Sequence, residues 1–337
     1  MIDFNEILNK KEYDFLRTNK NLKNRIVFLC VAGSYSYGTN IDSSDIDIRG
    51  VALDSLENIL GISSSFEQFV DTETDTTIYS LSKFIKLVRE CNPNIIEMLF
   101  CKPEHYFWVS EVGKLLLNNR KLFLTKKAYY TFGGYAHAQL NRLENALVRD
   151  EAALTEEEKL KHINRSVTTS NISFIEKFNM PEDAIKTYLG SFNNKPELLI
   201  DINLKGYPLS HLRSSIEEMT NVLRTFNTTI GQRNKKKDDL HLNKHMMHLI
   251  RLYLMCNEIL RDGDLHTYRE EHDLLMSIRN GYFREADGGV KKEFYDMLNN
   301  LEKESEELYR KSSLPKMVNN ELLEELMIKI FKEYIVK

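Results

Sequence analysis

The sequence predicts an α+β protein, in which strands and helices share the first part of the chain and helices fill most of the rest. Three observations support this class. Apolar runs with strand-like patterning cluster before residue 110. Glycine (14) and proline (6) fall below their average usage of about 7% and 5%, which favours long helices. The length of 337 residues fits two domains of roughly 150 residues each, and we place them at residues 1–125 and 126–337.

Hydrophobic periodicity predicts six elements in the first part. Residues 25–32 form a continuous apolar run, typical of a strand that is buried on both faces. Residues 45–53 begin with polar and apolar residues in alternation, typical of a strand with one exposed face. In order, we expect a helix over residues 4–18, strands over 25–32, 45–53 and 75–79, and helices over 82–91 and 94–100.

The second part has a helical period almost throughout. An irregular stretch between Pro181 and Pro208 could hold a short hairpin. The expected helices cover residues 127–149, 155–178, 209–226, 239–261 and 268–279, with two more after Gly288.

Charge and composition exclude several functions. The chain has 46 basic and 50 acidic residues and a net charge of −4, which argues against wrapping duplex DNA. No apolar stretch approaches the roughly 18 residues of a membrane span, and the charged N-terminal segment does not resemble a signal peptide. Four well-separated cysteines, Cys30, Cys91, Cys101 and Cys256, predict buried, reduced thiols. We therefore expect a cytoplasmic protein.

The candidate site begins where the first buried strand ends. Gly33 there allows a sharp turn and a close approach to a ligand. Ser34 is a suitable N-cap for the turn that follows. Free N–H groups and a hydroxyl at a helix start favour an anion, so this junction is a candidate phosphate site.

A pair of carboxylates follows Ser34 after ten intervening residues. On a strand, Asp45 and Asp47 point to one face, with Cα atoms about 6–7 Å apart. Two carboxylates at about 5 Å repel by roughly 3 kcal/mol at an effective dielectric near 20, so the pair favours a cation between them. Oxygen ligands of this kind select Mg²⁺ or Mn²⁺. The alternative is an ordinary Gly-Ser turn followed by an exposed strand.

The motif G-S-x(10)-D-x-D, with Ser44 directly before the first Asp, resembles the signature of the DNA polymerase β-type nucleotidyltransferase superfamily. The longer string GSYSYGTNIDSSDIDIRGV resembles the bacterial and phage branch associated with RNA-repair pathways. The resemblance implies a mixed sheet flanked by helices, followed by a mainly helical domain. It also implies that Gly33, Ser34 and Ser44 bind the nucleotide, and that Asp45 and Asp47 bind metal and are catalytic.

A third catalytic, metal-binding carboxylate is usual in that superfamily. We expect it at Asp75, which opens the third strand, while Asp71 and Glu73 remain alternatives. Lys83, on the following helix, is a candidate nucleotide ligand or else a solvated lysine. Arg49 lies on the face of the acidic pair. Farther along, the resemblance covers Asn92 and Glu97, for which we favour a role in helix packing, with Glu97 also a candidate partner for a basic residue.

A polar stripe runs along the helix predicted at residues 239–261. Lys244, His248 and Arg251 lie three or four residues apart and are candidate nucleotide ligands that would close the helical domain over the site. One alternative is a zinc site made by His241 and His245 together with His248. The other is a mixed surface or packing stripe.

Two further features have structural alternatives. The basic run at residues 232–237 is interpreted as a solvated loop that could touch RNA phosphates. The aromatic residues at positions 129, 130, 132 and 135 fit core packing better than a base-stacking platform.

Together these observations predict an enzyme that moves a nucleoside monophosphate from a nucleoside triphosphate, ATP above all, to a hydroxyl acceptor, with Mg²⁺ or Mn²⁺ as cofactor. The RNA-repair resemblance implies an RNA 3′ end as acceptor. The alternatives are nucleotidylation of a protein or a small molecule, and a catalytically silent nucleotide-binding module.

Overall fold

The computed structural model describes residues 6, 8–60, 66–148, 180–193, 195–209, 239–286 and 288–335, with scattered positions between 163 and 223. No helix among these residues is long and apolar enough to cross a membrane. The predicted helices at 155–178 and 209–226 and the basic run at 232–237 lie mostly or wholly outside the described residues.

A mixed five-stranded sheet forms the first part of the fold, in the order β3-β4-β2-β1-β5. β2 runs parallel to β4, and the other neighbouring strands are antiparallel. The strands are β1 (Ile26–Ala32), β2 (Asp47–Ala52), β3 (Gln68–Asp71), β4 (Thr76–Ser80) and β5 (Tyr106–Val109).

β1 lies inside the sheet, between β2 and β5. Its five central residues, from Val27 to Val31, are all buried, as the continuous apolar run predicts for a strand covered on both faces. Ile48 from β2 and Ile78 from β4 join Leu29 and Val31 in one core cluster. The α+β class and the mixed sheet are confirmed.

Helices flank the sheet and make up most of the later part of the chain. The short ones are α1 (Phe15–Thr18), α2 (Gly33–Tyr37), α3 (Leu56–Leu60), α4 (Leu81–Arg89), α5 (Pro93–Ile96) and α6 (Glu111–Asn118). The later ones are α7 (Lys127–Val148), α8 (Asp239–Asp262), α9 (His272–Arg279), α10 (Lys292–Lys311) and α11 (Asn320–Ile330). Single 3₁₀ turns cover Lys11–Tyr13, Glu97–Leu99, Pro103–His105 and Arg120–Phe123, and a π-turn covers Phe331–Ile335.

The irregular stretch after Pro181 contains the expected hairpin, made by β6 (Ile185–Phe192) and β7 (Lys195–Ile202). The structure differs from the prediction at the N-terminus, where residues 4–18 do not form one helix. Lys10 has an extended backbone conformation, which separates the 3₁₀ turn and α1 from the residues before it. The edge strands β3 and β5 were not predicted, because four residues are too few for a clear period-2 pattern.

The chain divides into two compact units. One contains residues 1–138, 247–280 and 295–337, and the other contains residues 139–246 and 281–294. The first unit holds the five-stranded sheet, and the second holds the β6–β7 hairpin. These units are defined by packing. The boundary predicted between residues 125 and 126 separates two functional roles, which packing does not test, so that boundary stays a prediction.

All four cysteines are free thiols. Cys30, Cys91 and Cys256 are buried as expected, whereas Cys101 is partly exposed. Burial raises the pKa of the Cys91 and Cys256 thiols to about 12, so both remain protonated near neutral pH.

Candidate active site

The junction between β1 and α2 places Gly33 against a carboxylate. Gly33 has a φ of +60°, a left-handed conformation that favours glycine. A Cβ built on Gly33 would lie 1.9 Å from Oδ2 of Asp47, because the strand register pairs Ala32 with Asp47. Only glycine therefore satisfies both the backbone conformation and the close approach of the Asp47 carboxylate.

The two acidic residues of the motif differ in setting. β2 begins at Asp47, so Asp45 precedes the strand and is exposed. The expectation that both lie on one strand is therefore wrong for Asp45. The Asp47 carboxylate is partly exposed, and its Oδ1 lies 3.9 Å from Nη2 of Arg49. Asp45 is held by a loop, and Asp47 by the sheet.

The two serines of the motif lie in the first turn of α2 and in the loop before Asp45. α2 begins at Gly33 with Ala32 as its N-cap residue, so Ser34 lies in the first turn and is not the cap, contrary to expectation. The Ser44 hydroxyl accepts a hydrogen bond from the Ile41 backbone N–H at 2.9 Å, which closes the turn before Asp45. In sequence, Ser34 directly follows Gly33, and Ser44 directly precedes Asp45.

The candidates for a third carboxylate lie at the end of β3 and in the turn between β3 and β4. Asp75 is exposed and has a φ of +45°. Its backbone carbonyl accepts hydrogen bonds from the Ile48 N–H at 3.1 Å and from Nη1 of Arg49 at 2.9 Å. The backbone of Asp75 therefore lies beside the start of β2.

Asp71 has a different role. Its Oδ1 accepts hydrogen bonds from the backbone N–H groups of Glu73 and Thr74 and from the Thr74 hydroxyl, so it closes the turn. The register pairs Asp71 with Thr76, and Thr76 with Ile48, which places Asp71 on the face opposite Asp47.

The acidic residues and the histidines form no ready-made metal cluster. Within the described part of the chain, no group of three or more His, Cys, Asp or Glu side chains is arranged to hold a metal ion. Neither the set of Asp45, Asp47 and Asp75 nor the alternative zinc set on α8 is therefore assembled in this structure. The choice of Asp75 as third carboxylate stays a prediction.

The predicted nucleotide ligands outside the motif have different settings in the structure. Lys83 donates a hydrogen bond to Glu67 at 2.9 Å, so its charge is paired with an exposed carboxylate. Lys244 is exposed on α8, while His248 is partly buried and lies edge-to-face with the Tyr37 ring. His245 contacts the Gln139 amide at 2.9 Å.

Arg251 is buried and paired. Its Nη1 donates to Oε1 of Glu97 at 2.7 Å, and its guanidinium lies 3.7 Å from the centre of the Tyr37 ring. The Tyr37 hydroxyl donates to Oε2 of Glu97 at 2.5 Å. These contacts give Arg251 a structural role between α8 and α2, and we remove it from the nucleotide-binding candidates. Glu97 has the basic partner that was one of its two expected roles.

The contacts of Asn92, Tyr129 and Phe132 agree with packing, whereas the aromatic residues Tyr130 and Tyr135 are exposed. The Asn92 side chain caps α5 by accepting from the Asn94 N–H, and its amide donates to the Tyr135 hydroxyl at 3.1 Å. Phe132 is fully buried, and Tyr129 stacks on Tyr309 with ring centres 4.8 Å apart.

Sequence patterns provided no signal for Arg279, the last residue of α9. Its Nη2 donates to the Ser44 hydroxyl at 3.4 Å, across 235 positions of sequence. Arg279 belongs to no motif, and only the folded chain shows which residues lie near it.

A mixed sheet with Gly-Ser at the end of one strand, and Asp-x-Asp leading into the antiparallel neighbour, defines a polymerase β-like nucleotidyltransferase fold. Residues 7–326 match the sequence profile of RlaP, the RNA repair pathway DNA polymerase beta family. The match covers nearly the whole chain, and the protein belongs to this family of polymerase β-type nucleotidyltransferases. Comparisons with curated proteins and with solved structures give no significant match.

Proposed function

We propose that this protein transfers a nucleoside monophosphate from a nucleoside triphosphate, with ATP as the expected donor, to a hydroxyl group of RNA and releases pyrophosphate. The observation that carries the proposal is the packing of the Asp47 carboxylate against Gly33. This contact puts one member of the acidic pair beside the strand–helix junction, where the triphosphate is proposed to bind.

The donor chemistry of the acidic pair fits a hard divalent cation. The carboxylates of Asp45 and Asp47 supply oxygen atoms, the ligands that Mg²⁺ and Mn²⁺ prefer. Asp45 is exposed and Asp47 partly so, which leaves both open to an ion from solvent. We propose these residues as the metal ligands, with Asp75 completing the set. A bound divalent ion would neutralise phosphate charge and stabilise the leaving group.

The chain's own groups would position the reactants. The Ser34 hydroxyl, in the first turn of α2, is proposed to donate to a phosphate oxygen, and the left-handed Gly33 lets the backbone approach the phosphates closely. The acceptor oxygen forms a bond to the α-phosphorus, and the bond between that phosphorus and the bridging oxygen breaks. Pyrophosphate leaves with the electron pair, and the hydroxyl proton passes to a carboxylate, for which we propose Asp75.

The family description supports RNA as the acceptor class, and the 3′ end is the hydroxyl we propose. Nucleotidylation of a protein or a small molecule uses the same site chemistry and remains the alternative. A silent module is disfavoured, because a nucleotide-binding protein without catalysis has no need for adjacent carboxylates that repel each other. The free thiols agree with a reducing compartment such as the cytoplasm.

The test incubates the protein with each α-³²P-labelled nucleoside triphosphate, Mg²⁺ or Mn²⁺, and either total RNA or a cell lysate. We expect label in RNA, loss of that label after ribonuclease treatment, and no labelling with the Asp45→Asn or Asp47→Asn variant. Periodate oxidation of the RNA, which destroys its terminal 2′,3′-diol, should prevent labelling of a 3′ end.

The possible outcomes separate the functions. Label that resists ribonuclease and is removed by protease would favour protein nucleotidylation. Binding of nucleotide without transfer to any acceptor would favour the silent module. Equal labelling by the wild-type protein and both Asn variants would overturn the assigned site.

A further inference from the structure

Arg279, which is partly buried, differs from the buried arginines Arg251 and Arg269 of the same compact unit. Arg251 is paired with Glu97, and Arg269 is paired with Glu258 and Glu271. Among the residues that the structure describes, no carboxylate lies within ion-pair distance of Arg279.

The guanidinium of Arg279 is only partly satisfied. Its Nη1 is buried and has no hydrogen-bond partner in the described structure, and its Nη2 makes a single long contact of 3.4 Å to Ser44. Burial also lowers the pKa of Arg279 from its ordinary value, with no opposing carboxylate. A buried donor that lacks a partner is unfavourable, so an anionic ligand at this position would supply the missing acceptor.

Packing places this guanidinium against the loop that leads to the acidic pair. The loop from Gly38 to Ser44 lies along α9 and the residues just before it. At one end, a Cβ on Gly38 would lie 2.3 Å from the Tyr268 ring, and at the other end Arg279 reaches Ser44. Ser44 immediately precedes Asp45, so the unpaired cation lies beside the loop that presents the exposed carboxylate of the motif.

We propose that Arg279 binds the triphosphate of the nucleotide donor at this site, an inference that rests on the proposed function. A guanidinium offers paired N–H donors that match phosphate oxygens in geometry and charge. Ser44, the neighbour of Arg279, adds a hydroxyl on the same side. The alternative is a purely structural role, in which Arg279 interacts favourably with the C-terminal end of α9.

The experiment measures binding by calorimetry with two probes, inorganic tripolyphosphate and α,β-methylene-ATP, which cannot release pyrophosphate. The variants are Arg279→Met, which keeps an unbranched chain of about the length of the arginine stem but loses the guanidinium, and Arg279→Lys, which keeps the charge but loses the paired donors. The matched control is Arg261→Met, because Arg261 is an exposed arginine that is already paired with Glu304. Thermal unfolding of each variant reports whether it folds.

We expect Arg279→Met to raise the Kd for both probes about ten- to a hundredfold, from the loss of charge-assisted hydrogen bonds. Arg279→Lys should have an intermediate effect, and Arg261→Met should leave Kd within twofold of the wild type. A wild-type Kd for both probes in a folded Arg279→Met variant would overturn the proposal, as would a lower melting temperature with unchanged Kd in both Arg279 variants.

Two further results would show which part of the proposal is wrong. If Arg279→Met weakens binding of acceptor RNA but leaves tripolyphosphate binding intact, the phosphate belongs to the acceptor and the assignment to the donor is wrong. If the wild-type protein binds neither probe, the proposed function fails first, and the assignment of Arg279 fails with it.

Discussion

The carboxylate of Glu97 and the guanidinium of Arg251 form an ion pair with an Nη1–Oε1 distance of 2.7 Å, and both side chains are buried. Their residues are 154 positions apart in the sequence. The pair joins α8 to the helical segment after α5, and the Tyr37 hydroxyl, which also donates to Glu97, extends it to α2. The helix that carries Gly33 and Ser34 is therefore held in place by a buried polar network.

Glu97→Gln should lower the free energy of unfolding by about 3–5 kcal/mol, because it leaves the buried Arg251 charge without its counterion. Denaturant unfolding measures the change. The control is Arg261→Met, which breaks the exposed ion pair between Arg261 and Glu304 and should cost less than about 1 kcal/mol. If both variants lose the same stability, the buried pair has no special weight. Adding Arg251→Met to Glu97→Gln should restore part of the loss.

Gly33→Ala should abolish nucleotidyl transfer, because the added methyl group would displace the Asp47 carboxylate, and left-handed φ adds roughly 1–2 kcal/mol of strain. Transfer of label and thermal unfolding measure the two effects. Gly133→Ala is the matched control: it lies in α7 with open space at its Cβ position, and should stabilise the protein by about 0.5–1 kcal/mol. Normal transfer by a folded Gly33→Ala variant would contradict the tight contact at this junction.

Asp75→Asn should lower turnover without loss of stability, whereas Asp71→Ala should lower stability. Asp75 is exposed, so its amide variant should keep stability and nucleotide binding but lose most turnover. Asp71 accepts three hydrogen bonds within its turn, so its loss should cost about 1–2 kcal/mol of stability. Turnover, nucleotide affinity and melting temperature are compared for both variants. An active Asp75→Asn variant would remove Asp75 from the catalytic set.

Tyr37→Phe should show a stability difference from the wild type that depends on pH. Burial raises the pKa of the Tyr37 hydroxyl, and Glu97 raises it further against the opposing effect of Arg251. Below pH 10 the variant should be less stable by about 1.5–3 kcal/mol, because it loses a hydrogen bond to a charged group.

Above about pH 10, tyrosine ionises in the unfolded chain but stays protonated when folded, so the wild type loses about 1.4 kcal/mol per pH unit that the Phe variant keeps. The difference between the two proteins should therefore narrow as the pH rises through this window. Denaturant unfolding at pH 8 and pH 10.5 tests this. A constant difference would mean that Tyr37 has an ordinary pKa.

The sequence alone determined the elements that depend on local pattern. The apolar run of β1 and the helical periods of α7 and α8 were predicted correctly, because burial and backbone geometry repeat over neighbouring residues. The same local signals predicted the α+β class. They also identified Gly33 and Asp47, whose side-by-side packing depends on two adjacent strands.

Only the tertiary structure decided which polar residues meet. Arg251 and Lys244 belong to one polar stripe in the sequence, yet Arg251 is buried against Glu97 and Lys244 is exposed. Asp71 and Asp75 both lie shortly before β4 in sequence, yet Asp71 ends β3 and accepts three hydrogen bonds that close the turn, whereas Asp75 is exposed. Arg279 reaches Ser44 only because the folded chain brings α9 against the loop before Asp45. The partner of a charged side chain depends on contacts between distant segments, and local periodicity carries no information about them.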